Sequence, residues 1–137
     1  MYNDINELPS LDNYDDDEKG NIKLIVFDDF INLKKKEMTK INEFLTSGRT
    51  FGFSVFCMAQ NYTSIPKIIS RNTHYFIVFR LNDNTSINNI IRNHNTTDMK
   101  KDDFKNLYLK ATADKGDFFL IDLKNPNKPL RKKFIPL

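Results

Sequence analysis

The sequence predicts an α/β fold with a mainly parallel sheet. Two observations lead there. Short apolar runs rich in β-branched and aromatic residues alternate with segments of helical period. The first two of these runs also stop abruptly at polar residues, as strands do where a parallel sheet gathers its functional groups at their carboxyl ends.

Taken in order, residues 1–20 read as an acidic leader or linker, loosely attached, with the like-charge block Asp15-Asp16-Asp17-Glu18 and then Gly20. Residues 21–137 form the folded part. Ile22-Lys23-Leu24-Ile25-Val26-Phe27 is a strand of buried type that ends at Asp28-Asp29. Residues 35–47 are a helix, with Met38, Ile41, Phe44 and Leu45 at helical spacing and Gly48 as its C-cap. Phe53 to Ala59 is a second buried strand with Gln60 at its end. Ile65-Pro66 opens a short helix to about Ser70. His74 to Phe79 is a third strand. Helices follow over 84–93, with Ile87, Ile90 and Ile91 inward, and over 101–111, with Phe104, Leu107 and Tyr108 inward. Gly116 leads into a fourth strand over Asp117 to Leu123. A turn at Asn125-Pro126-Asn127 precedes a basic tail, Arg131-Lys132-Lys133, and the end Phe134-Ile135-Pro136-Leu137.

Composition narrows the classes. A chain of 137 residues suffices for one small domain with a modest core. The single cysteine, Cys57, excludes an internal disulfide and favours a reducing compartment. No signal peptide is legible, and no apolar stretch is long enough to span a membrane. The net charge of +3 conceals an asymmetry: residues 1–18 hold seven acids and no Lys or Arg, leaving 21 basic against 11 acidic residues in the rest. A basic body suits a polyanion partner, although a lysine-biased surface has the same composition.

Several residues could carry chemistry. Leu24-Ile25-Val26-Phe27-Asp28-Asp29 has the Walker B pattern. A buried strand holds one carboxylate where a Mg²⁺ shell needs an oxygen, and the second can orient or deprotonate an attacking water. A strand ending in a solvated Asp-Asp turn has the same pattern. Gln60, at the tip of the next strand, could reach a γ-phosphate or its water; an ordinary polar strand exit looks alike. Arg49, after the first helix, could act across a subunit interface on developing phosphate charge, and Arg71 is a second candidate. Both equally suit a plain surface. Lys34-Lys35-Lys36 and Arg131-Lys132-Lys133 could touch phosphates or stand as solvated faces. His74 and His94 have no Cys or carboxylate at metal-ligand spacing, which speaks against zinc.

The motifs together resemble the DNA-packaging ATPases of poxviruses and other nucleocytoplasmic large DNA viruses, of the HerA/FtsK superfamily of P-loop ATPases. The residues that carry the resemblance are Leu24 to Asp29, Ser47-Gly48-Arg49, Phe53 to Gln60-Asn61-Tyr62, Ile65-Pro66-Lys67-Ile68-Ile69 with Arg71-Asn72, Tyr75 to Phe79, and Phe118 to Leu123. It runs from about residue 20 to 134, and Gln60-Asn61-Tyr62 with the segment after it is its most specific part. Thr50 departs from the family, where His often follows the arginine.

The resemblance implies a RecA-like sheet, a homo-oligomeric ring, and ATP-driven packaging of double-stranded DNA into a capsid, with capsid or membrane-associated portal components as partners. It implies ATP and Mg²⁺, with Asp28 serving the metal, Asp29 activating water, Gln60 sensing the γ-phosphate and Arg49 acting in trans. It also implies work in the host cytoplasm, at a virus factory, or in the virion. One element is missing. The chain has four glycines and no G-x-x-x-x-G-K-[ST], so the backbone cradle for phosphates is lacking. In the family that strand lies in the middle of the sheet, and its loss leaves a gap. The phosphate-binding half is therefore expected from elsewhere, and this chain alone is expected to be inactive. Two other classes fit the residues: a non-catalytic DNA- or partner-binding α/β module, and a nuclease using Asp28 and Asp29 for metal.

Overall fold

The computed structural model describes residues 4–14, 22–29 and 33–137. They fall into two compact units, Met1–Asn72 and Thr73–Leu137.

The first unit is a strand–helix–strand crossover. β1 (Lys23–Asp28) and β2 (Phe53–Met58) pair in parallel, with Lys23 opposite Phe53 and Asp28 opposite Met58. α1 (Lys35–Ser47) connects them. A single crossover helix of about 20 Å returns the chain to the end where β1 began, which makes the pair parallel. Glu37 opens α1 by accepting a 2.6 Å hydrogen bond from the Lys34 amide. Ile41 and Phe44 are buried beneath it, and Phe44 meets Phe53 and Phe27 edge to face, with ring centroids 5.2 and 6.1 Å apart. Gly48 caps α1 as expected, but in a right-handed conformation. The chain then turns once more through a 3-10 helix, Gly48–Phe51, and the left-handed residue is Gly52, at φ +77°. The short helix α2 (Lys67–Asn72) buries Ile69 in the same core.

The leader is not loosely attached over residues 4–14. Two 3-10 turns, Ile5–Glu7 and Leu11–Asn13, insert Leu8 and Leu11 into the core with Phe27, Ile41, Phe44 and Ile69. Tyr14 packs against Phe53 at 4.9 Å, and Lys40 of α1 donates to the Leu8 carbonyl. The acidic block Asp15–Glu18 and Gly20 lie outside the described residues.

Apolar runs predict strands buried on both faces. The structure buries only one. Ile25, Phe27, Val55 and Cys57 face α1, whereas Leu24 (60% exposed), Val26 (49%), Phe56 (49%) and Met58 (47%) share the opposite face, open to solvent.

The second unit corrects the expectation of a mainly parallel sheet. β3 (Tyr75–Val78), β4 (Phe119–Asp122), β5 (Leu130–Lys132) and β6 (Ile135–Pro136) form an antiparallel sheet in sequence order. Two helices, not one, separate β3 from β4: α3 (Asn84–His94) and α4 (Lys101–Ala111). A two-helix connection delivers the chain back to the end where β3 finished, so β4 must run the other way. Asp83 caps α3 by accepting from the amides of Ser86 and Thr85 at 2.8 and 2.9 Å; the Ser86 side chain first, and then these amides, hold its carboxyl below its usual pKa. Ile87, Ile90 and Ile91 of α3 and Phe104 and Tyr108 of α4 are buried as expected; Leu107 is only half-buried. The Tyr108 hydroxyl donates to the Phe79 carbonyl and accepts from the Leu81 amide, tying α4 to the end of β3.

The basic tail is no tail. Arg131 lies in β5 and forms a 2.7 Å ion pair with Asp122, while Lys132 and Lys133 reach the buried Asp117 at 2.8 and 2.6 Å. Those two lysines hold the Asp117 carboxyl below its usual pKa. These three cations, which could have touched phosphates or stood as a solvated face, are engaged within the chain.

Candidate functional site

The parallel register of β1 and β2 decides which candidates meet. Asp28 closes β1 opposite Met58, so Asp28, Asp29 and Gln60 all stand at the carboxyl end of this strand pair, and all three are exposed. Asp29 leaves the strand in the left-handed region, at φ +48°, which few non-glycine residues adopt outside special sites. Its amide donates to the Met58 carbonyl at 3.2 Å, so β1 remains tied to β2 one residue beyond the ladder. The Asn61 side chain accepts from the amide and hydroxyl of Thr63 at 3.0 and 2.8 Å and shapes the turn Tyr62–Ser64 that follows Gln60. Neither the Met58 carbonyl nor this Asn61 turn stood out as a site feature in the sequence. An Asn followed by Thr two residues later was the available signal for the second.

Arg49 is not brought to this cluster. The Gly52 amide donates to the Arg49 carbonyl, and the Gly52 carbonyl accepts from Lys23 at the start of β1. Arg49 therefore lies at the amino end of the pair, about 16 Å along the strands from Asp28 at ~3.3 Å per residue. Arg71 is exposed on α2. Lys34, Lys35 and Lys36 are exposed at the start of α1, a few residues after Asp29.

The histidines differ sharply. His74 is exposed just ahead of β3. His94 is buried against Phe76, ring centroids 3.9 Å apart, and burial pulls its pKa down to about 4. Among the described residues, no group of three or more His, Cys, Asp or Glu could hold a metal ion.

Mg²⁺ in nucleotide sites takes only one or two protein carboxylates and leaves the rest of its shell to water and phosphates. Two adjacent carboxylates at a strand tip suit that part. The phosphate-facing part is unmet, since none of the four glycines belongs to a phosphate-binding loop. The residues present thus fit one end of a nucleotide site and not the other.

A shallow depression in the second unit, lined by Arg80, Asn106, Leu109, Lys110 and Ala113, contains none of the candidate residues. Arg80 is spent there on structure, donating to the Leu109 carbonyl at 3.1 Å in the last turn of α4.

No curated protein and no solved structure matches the chain significantly. The family model described as poxvirus A32 protein matches residues 2–122, taking in the docked leader, β1 with its acidic tip and every element through β4, and the chain accordingly belongs to the poxvirus A32 family, a family of DNA-packaging ATPases.

Proposed function

We propose that this chain supplies the metal- and water-facing part of an ATPase that drives double-stranded viral DNA into the capsid, while the phosphate cradle comes from a separate polypeptide segment. The observation that carries the reading is the cluster at one end of the parallel pair: Asp28 and Asp29 at the tip of β1, Asp29 tied to Met58, and Gln60 just beyond β2. Asp28 would complete the Mg²⁺ shell, Asp29 would orient or deprotonate water, and Gln60 would sense the γ-phosphate. ATP supplies the energy of translocation when bound. Support for Arg49 acting on a neighbouring subunit of a homo-oligomeric ring comes from its position at the far end of the strands, out of reach of its own Asp28.

In a RecA-like sheet of the HerA/FtsK type, the phosphate-binding strand lies in the middle. Its absence agrees with strands that divide into two separate sheets. A role at a virus factory in the host cytoplasm, or in the virion, with capsid or portal components as partners, follows from the same reading; no described helix is long and apolar enough to cross a membrane.

The missing cradle also favours a second reading, a DNA- or partner-binding module without turnover. Phosphate release separates the two. The purified chain with Mg²⁺ and ATP is expected to release none above background. Adding a polypeptide that carries the phosphate-binding loop is expected to produce turnover that Asp29→Asn abolishes. Mg²⁺-dependent turnover by the chain alone, lost in Asp29→Asn, would overturn the need for a second segment. DNA binding without turnover in the reconstituted mixture would favour the second reading.

A further inference from the structure

No further inference is drawn: the strongest candidate, the solvent-open apolar face of the β1–β2 pair formed by Leu24, Val26, Phe56 and Met58, carries nothing because nothing in the structure shows what covers it.

Discussion

The amide of Asp29 donates to the carbonyl of Met58 at 3.2 Å, joining the acidic tip of β1 to the end of β2. The bond requires Asp29 to turn into the left-handed region, at φ +48°. Asp and Asn tolerate that region better than other non-glycine residues, and β-branched residues suffer most. Asp29→Asn is therefore expected to leave the urea midpoint unchanged, whereas Asp29→Val lowers stability by about 1–2 kcal/mol. Equal midpoints for Asn and Val would show that the backbone conformation costs nothing.

The leader contributes to the core of the first unit. Leu11 is 2% exposed among Leu8, Phe27, Ile41, Phe44 and Ile69. Leu11→Ala removes buried methyl groups and leaves a cavity, for a loss of about 3 kcal/mol. Equilibrium denaturation followed by tyrosine fluorescence reads it directly. A loss under 1 kcal/mol would return residues 4–14 to the status of a loose leader.

His94 is expected to make the second unit acid-sensitive. Its pKa falls from 6.5 to about 4 because burial opposes the charged ring. An unfolded chain takes up the proton as pH drops through 6.5, whereas the folded chain resists until about 4, so protons favour unfolding between those values. The stability contributed by the neutral ring is fully present above pH 6.5 and declines toward pH 4, by about 3 kcal/mol in all. Thermal midpoints measured from pH 7.5 to 4.5 are expected to slope downward, and His94→Phe to flatten the slope.

Cys57 faces the core side of β2, and burial pushes its thiol pKa up to about 11. Thiolate is the reactive form. At pH 8 the native protein is expected to react with a disulfide reagent at least tenfold more slowly than a free cysteine with an ordinary pKa, and urea is expected to abolish the difference. Fast reaction in the native state would contradict the burial.

How much of this was legible in the sequence depended on the range of the forces involved. α1 spans the residues its periodicity predicts, because Ile41 and Phe44 recur at helical spacing on a face that must be buried. The tips of β1 and β2 were legible for a similar local reason: an apolar run stopped by Asp28-Asp29 or Gln60 leaves little freedom for where the strand ends. Strand direction was not legible in the second unit, since it depended on whether one helix or two intervened and on how they returned the chain. The β5–β6 hairpin escaped notice because its strands are too short for a period and Lys133 fills a left-handed turn position without the usual Gly or Asn. Its anchor, Asp117, lies fifteen residues before Lys132. The leader was misjudged because Leu8, Leu11 and Tyr14 are sparse among acids, and only the tertiary fold shows that they share one side. The placement of Arg49 away from the acidic cluster follows from the parallel register, which the alternation of strand and helix already implied.

The open face of β1 and β2 bears on how the protein survives in a cell. Leu24, Val26, Phe56 and Met58 each leave about half of the side chain or more in solvent, and contiguous apolar surface of that kind is an aggregation liability. A copy whose four side chains stay uncovered is expected to partition into the insoluble fraction on overexpression.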